Sequence, residues 1–309
     1  SFSQENILNL NKAEESKFVL DGILSEQELE NSVELEILYE HDPGYNIAPS
    51  YKTTGYMVYT DTFLYVGFKA YRDEVIASIH PRDSQSLFDD DFANIHLDTF
   101  GDARNNIGLT SNLYGSQGDG IRVEATSYSG QNSGWTQDAN FDFKSLGRYT
   151  DFGYEVEFII PFSVIPFPSG KNQRWKINLS TYYRDIKKQG VRAKVYSSKQ
   201  DRDNTCKLCQ IDHTIVMNDI KIEKKFDLLP YLSSNVSGER TKFYDRINYE
   251  TPNVEYGIGA NIELNKNLSL EATINPDFSQ VESDATKIDI NSPTAINYPE
   301  KRPFFNRGI

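Results

Sequence analysis

The sequence predicts an all-β chain: an antiparallel β-sandwich with one short N-terminal helix over residues 1–225, then β-hairpins of a different character over residues 226–309. Three observations predict it. From Thr53 onward, apolar and polar residues alternate with period two in short runs separated by Gly, Asn, Asp and Ser, the pattern of strands joined by turns. No helical pattern interrupts those runs, so antiparallel pairing is expected rather than parallel crossovers. The last third carries longer strands of stricter alternation.

Taken in order, "LDGILSEQELENSVEL" offers Ser25 as a helix N-cap, with Glu28 three residues on completing a capping box. "HDPGYNIAPS" follows and reads as a loop from its Pro, Gly and Asn content. "YMVYTDTFLYVGFKAYRD" gives two strands split at Thr60-Asp61-Thr62. "FANIHLDTF", "NIGLTSNLYG", "GIRVEATSYS", "YEVEFIIPF" and "RWKINLSTYYRD" supply further strands of the sandwich.

In "VEYGIGANIEL" Val254, Tyr256, Ile258, Ala260, Ile262 and Leu264 fall on one face, and Glu255, Gly257, Gly259, Asn261 and Glu263 on the other. A short "NKN" turn leads into "LSLEATI", which alternates in the same way. A half-buried hairpin of a second water-soluble domain has this pattern. So does a transmembrane hairpin with apolar residues toward lipid and polar residues toward a lumen, its strands about 9–11 residues long. On the second reading a few strands cannot close a barrel, because open edges are not tolerated in lipid. The final "YPEKRPFFNRG", with Phe304 and Phe305 beside a Glu-Lys-Arg cluster, then reads as the interior of a continuing polypeptide.

With 309 residues, 38% hydrophobic and 13% aromatic, the chain has the material for two folded domains. The net charge of −13 argues against nucleic acid and against an anionic membrane surface as partners. The densest apolar stretch, "FIIPF" at Phe158 to Phe162, is far short of the roughly 18 residues of a helical span. "SFSQENILNL" reads as a mature N-terminus left by processing.

The only cysteines, Cys206 and Cys209, form a CxxC pair open to redox, zinc or local disulfide roles. Zinc would need two further ligands, with only His213 nearby, and haem attachment fails because Gln210 follows the second cysteine. A loop-closing disulfide in an oxidising compartment is the preferred reading. The four histidines, His41, His80, His96 and His213, are scattered without fixed partners and read as surface or satisfied core residues. No GxSxG, HExxH or P-loop motif is present, and nothing among the 45 acidic residues isolates a carboxylate pair, so no enzyme is expected.

The chain resembles a known arrangement. "LDGILSEQELENS", "GYMVYTDTFLYVGFKAYRDE", "DDDFANIHLDTFGD" and "GYEVEFIIPFSVIPF" are similar, in order, to the motifs of the carbohydrate-binding family 9-like domain. "LLPYLSS", "INPDFSQVESD" and "YPEKRPFFNRG" resemble the start of the β-barrel region of outer-membrane proteins of the DUF5916 type. The usual Trp of the opening motif is replaced, and Leu29 is the nearest apolar anchor. The resemblance implies a secreted protein in the outer membrane of a Gram-negative bacterium, with a barrel beginning near Leu228.

Candidate sites follow. Sugar binding in family 9 relies on aromatic stacking, and of the two tryptophans Trp135 lies in the polar stretch "SGQNSGWTQDAN", with Tyr128 and Asn132 as companions. The alternative for Trp135 is a loop side chain tucked onto the sandwich edge, while Trp175 opens a strand and reads as core. Asp89, Asp90, Asp91 and Asp98 are candidate Ca²⁺ ligands, a role that family 9 domains make conceivable; the alternative is a solvated turn. Asp277, Glu282 and Asp284 would face Lys301 and Arg302 in a barrel lumen, as a constriction or as a packing element that only holds shape. The expected function is non-catalytic: a ligand-binding or transport module, its ligand a glycan, attached to an outer-membrane barrel. Alternatives are a structural or interaction module that contacts an envelope protein, and an accessory domain in glycan breakdown.

Overall fold

The computed structural model describes residues 5–124, 135–136, 139–221, 226–240, 244, 246–265 and 268–275. The chain divides into two compact units, Ser1–Glu223 and Lys224–Ile309.

In chain order the first unit contains β1 (Asn6–Asn9), α1 (Glu26–Leu29), β2 (Val33–Glu36), β3 (Tyr39–Asp42), β4 (Thr53–Tyr59), β5 (Phe63–Tyr71), β6 (Phe92–Asp98), β7 (Asn105–Asn112) and β8 (Gln117–Val123). It continues with β9 (Trp135–Thr136), β10 (Lys144–Thr150), β11 (Gly153–Pro161), β12 (Gln173–Asp185), β13 (Val191–Tyr196) and β14 (His213–Met217). Among the described residues these strands form two sheets. A five-stranded sheet has the order β10-β11-β5-β4-β2. A nine-stranded sheet runs β1-β14-β12-β6-β7-β8-β9, with β13 and β3 branching from β12.

Alternation explains the sandwich. Met57, Leu64, Val66, Phe68, Val156, Phe158 and Ile160 of the smaller sheet are buried against Ile95, Leu97, Leu109, Trp175, Ile177 and Leu179 of the larger. Each such side chain contributes about 1.5–3 kcal/mol by leaving water. Trp175 is core, as its strand position predicts, and its indole N–H donates to Gln173 Oε1 at 3.1 Å.

The helix is shorter than the "SEQELENSVEL" run suggests. Ser25 caps it and the reciprocal Glu28 bond is present, but it stops at Leu29, and Val33–Glu36 joins the sheet as β2. Residues 33–36 alternate with period two, and tertiary pairing with β4 overrides their helical propensity. The sandwich is antiparallel except at one edge, where β1 runs parallel to β14.

The second unit contains β15 (Phe226–Asn235), β16 (Gly238–Glu239), β17 (Asn248–Tyr249), β18 (Asn253–Asn265) and β19 (Leu268–Ile274). A three-stranded antiparallel sheet has the order β15-β18-β19, and β16 pairs with β17. The register sets Phe226 opposite Ile262, Leu232 opposite Tyr256 and Ile258 opposite Ile274, so the apolar residues of three strands share one face. Leu232, Tyr256 and Ile274 on that face are 75%, 74% and 72% exposed, the reverse of the first unit's core.

Candidate functional site

The outer face of the nine-stranded sheet holds an unusual set of side chains. Strand pairing puts Tyr196, Ser180, Asn94, Thr110 and Gly118 in one cross-strand row. The next row is Asn178, His96, Gly108 and Gly120, and beyond it Asn106, Arg122 and Trp135 lie side by side. In an ordinary sandwich such outward positions are solvated. Here Asn94 (7%), Asn106 (3%), Thr110 (0%) and Ser180 (0%) are buried.

Their hydrogen bonding is incomplete. Asn94 Oδ1, Asn106 Oδ1, Thr110 Oγ1, Ser180 Oγ, His96 Nε2 and Arg122 Nε are all buried with no partner among the described residues. An unmet buried polar atom costs about 1–3 kcal/mol, and six of them gather on this one sheet face. Such a set persists where something outside the chain, water or ligand, completes the bonds.

Burial, together with the nearby Arg122 charge, holds the His96 imidazole down at about 4, so the ring is neutral at physiological pH. Its Nδ1 lies 3.3 Å from Asn106 Nδ2, which can only donate, so the proton is assigned to Nε2. The unmet atoms are donors at His96 Nε2 and Arg122 Nε, acceptors at the two asparagine oxygens, and two hydroxyls of either role, all closed off from solvent.

Aromatic surface lies alongside. The Trp135 indole rests on two glycines: a Cβ added at Gly108 would come within 2.3 Å of the ring, and one at Gly120 within 2.7 Å. Only glycine allows the indole to lie flat on the sheet here. At the opposite side the Tyr182 and Tyr196 hydroxyls bond each other at 2.6 Å, Tyr182 stacks on Phe92 at 4.7 Å, and His41 packs edge-on against Tyr196. Burial raises both phenols, so they stay protonated.

The loop carrying Cys206 and Cys209, which form a disulfide, lies at the border of this face. Its Lys207 and Leu208 N–H groups donate to the Glu124 carboxylate at 2.9 and 3.1 Å, just beyond β8. Its Arg202 guanidinium donates to the carbonyls of His41 and Gly44. The loop thus ties the end of β8 to the end of β3.

Of the residues singled out in the sequence, Trp135 falls in this site, on a two-residue strand rather than a free loop. Tyr128 and Asn132 lie outside the described residues, as do Asp277, Glu282, Asp284, Lys301 and Arg302. The four aspartates proposed for Ca²⁺ are not brought together. Asp89 is exposed and lies 3.6 Å from Arg192. Asp90 accepts from Ser78 N, Asn112 Nδ2 and His80 Nε2 at 2.8–3.0 Å. Asp91 accepts from Arg184 N at 3.1 Å, and burial pushes its carboxyl up to about 6 against the pull of Arg72. Asp98 accepts from Gly101 N and Ala103 N at 2.7 and 2.9 Å. Successive side chains leave an extended chain on opposite sides, and Asp98 is about 23 Å along the strand from Asp91. Among the described residues no three His, Cys, Asp or Glu side chains converge on a metal-sized centre.

Asn94, His96, Asn106, Thr110, Ser180 and Arg122 escape a linear reading because alternation alone marks them as solvent-facing. The available signal is chemical: "NIHLD", "NNIGLTSN" and "NLSTYY" place Asn, His, Thr and Ser where solvated strands carry Lys and Glu.

Comparison with known proteins adds the following. Residues 224–309 match the family model described as a domain of unknown function, DUF5916. No curated protein matches the sequence. Among solved structures the chain is similar to a candidate carbohydrate-binding protein from Bacteroides uniformis, with a TM-score of 0.51 at 12% identity over 69% of this chain and 99% of that one. It is also similar to a family 9 carbohydrate-binding module from Caldicellulosiruptor kristjanssonii in complex with cellotriose, with a TM-score of 0.47 at 16% identity over 70% of this chain and 94% of that one. The first likeness establishes that the sandwich is a shared fold.

Proposed function

We propose that the first unit is a non-catalytic carbohydrate-binding module whose site is the outer face of the nine-stranded sheet. The observation that carries this is the coincidence, on one face, of an indole laid flat and six unmet polar atoms of mixed donor and acceptor character. A pyranose offers the complement: apolar C–H faces that stack on aromatic rings, and hydroxyls that donate and accept at the ring edge. Neutral His96, Asn94, Asn106, Thr110 and Ser180 suit hydroxyl recognition, while no nucleophile and base are paired among them. The fold likeness to the Bacteroides uniformis candidate carbohydrate-binding protein supports the same reading.

The test is a glycan array probed with the full chain, followed by calorimetry on the best ligand. Trp135→Ala is expected to weaken binding about tenfold or more, taking the loss of a stacked ring to be on the order of 1–3 kcal/mol, as for a nucleic-acid base on an aromatic side chain. Silence across the array, with an envelope protein co-purifying in stoichiometric amount, would replace this reading with an interaction module.

For the second unit the proposed role is the start of an outer-membrane β-barrel, continued by further strands. Support comes from the exposed apolar face shared by β15, β18 and β19, from the glycines and glutamate alternating with it on β18, and from the DUF5916 match. The native protein in outer-membrane extracts is expected to be much larger than this chain and to change its gel mobility on boiling. A species of about this length, indifferent to boiling, would overturn the barrel.

A further inference from the structure

Arg122 stands apart from the other charges around the candidate site. Lys194 pairs with Asp42 at 3.3 Å, Arg192 with Asp89 at 3.6 Å, and Arg202 bonds two backbone carbonyls. The acidic groups near Arg122 along the strands are already used: Glu124 by the Lys207 and Leu208 N–H groups, Asp98 by those of Gly101 and Ala103. Among the described residues no carboxylate pairs with Arg122, and its Nε is buried without a partner. Yet Arg122 faces the polar set. It is opposite Asn106 on β7 and Trp135 on β9, and its charge acts on His96, Tyr182 and Tyr196.

A partly buried guanidinium with no counter-charge among the described residues, beside a neutral imidazole, is a costly arrangement unless an anion completes it. Arg122 as a whole is only partly buried, and the two terminal nitrogens of a planar guanidinium match a carboxylate in a bidentate pair. We infer that the site takes an acidic sugar, a hexuronate unit whose carboxylate pairs with Arg122 while its ring lies on Trp135 and its hydroxyls meet Asn94, His96, Asn106, Thr110 and Ser180. This inference rests on the carbohydrate reading above and narrows its substrate class. The net charge of −13 works against the approach of any anion, so the attraction is local and the affinity is expected to fall as salt is raised.

The experiment is a calorimetric titration of the full chain with matched pairs: D-glucuronate against D-glucose, and D-galacturonate against D-galactose. At least one uronate is expected to bind about tenfold more tightly than its neutral parent. Arg122→Gln is expected to erase that difference, whatever its effect on the neutral parent, and Arg122→Lys to restore part of it. Thermal unfolding of each variant checks that the sandwich is intact. Equal affinity for parent and uronate, or a preference that survives Arg122→Gln in a folded variant, overturns the inference and leaves the carbohydrate reading standing. If neither class of sugar binds the native chain, the carbohydrate reading falls as well.

Discussion

The outer faces of the two sheets are built by the same device and finished differently. On the five-stranded sheet Gly67 leaves room for Leu24 to lie on the strand, as Gly108 and Gly120 leave room for Trp135 on the other sheet. Both faces then bury polar groups. On the smaller sheet the chain supplies partners for both buried glutamates: Glu157 accepts from Tyr65 Oη at 2.8 Å, Gly22 N at 2.5 Å and Asp21 N at 3.2 Å. Glu155 accepts from Leu24 N at 3.3 Å and lies 3.4 Å from Lys69 and 3.6 Å from Arg148. On β6, β7, β8 and β12 of the larger sheet, six outward polar atoms are buried and left unmet among the described residues. Burial by itself therefore does not mark a site. What sets the larger sheet's outer face apart is that six such groups gather on neighbouring strands beside Trp135.

The strongest way to break this comparison is to unmake the closed face. Glu157→Ala would leave a phenol and two backbone N–H groups without an acceptor. A loss of roughly 3 kcal/mol or more is expected in denaturant unfolding. The same carboxyl gives a pH signature. Burial pushes Glu157 up to about 7, against the three donors that pull it down. Its folded value lies above the ordinary glutamate value, so its contribution to stability is full below the ordinary value of 4.5 and is lost as pH rises through about 7. The melting temperature of the native chain should therefore fall relative to Glu157→Gln across that window. Parallel pH profiles for the two proteins would remove Glu157 as the source.

A smaller effect is expected from disturbing the platform. Gly108→Ala puts a methyl within 2.3 Å of the Trp135 ring, so the indole must lift from the sheet. Overpacking of this kind costs about 1–3 kcal/mol. Ligand affinity should drop together with a shift in tryptophan emission, because the chain's other tryptophan, Trp175, is fully buried elsewhere in the core. Unchanged emission and binding would mean that the indole is not fixed on the glycines.

Much of the fold was legible in the sequence because it depends on local rules. The capping box at Ser25 and Glu28, the break at Thr60-Asp61-Thr62 and the "LSLEATI" strand over Leu268–Ile274 stand where capping, turn and alternation rules put them. The pairing of Cys206 with Cys209 follows from the absence of any other cysteine. The proposed binding face was not legible for the opposite reason. Ser180, Asn94, Thr110 and Arg122 are far apart in the chain, and only strand register makes them neighbours. The aspartates show the reverse error: closeness in sequence suggested one cluster, but Asp89 and Asp90 end a 3-10 turn and Asp98 ends the strand that follows, each with separate partners.

The finest test compares two hydroxyl deletions of nearly unchanged shape. Tyr65→Phe removes a hydroxyl that donates to Glu157, leaving a buried carboxylate short of a donor, and a loss of about 1.5–3 kcal/mol is expected. Thr110→Val removes a hydroxyl that is equally buried and has no partner. Without ligand it should be neutral or stabilising by up to about 1 kcal/mol, because a polar group kept from water is exchanged for a methyl. With ligand it should weaken binding, so stability and affinity move in opposite directions. Losses of similar size for both variants would mean that Thr110 has a partner in the free protein, and the distinction between the two faces would then fail at that residue.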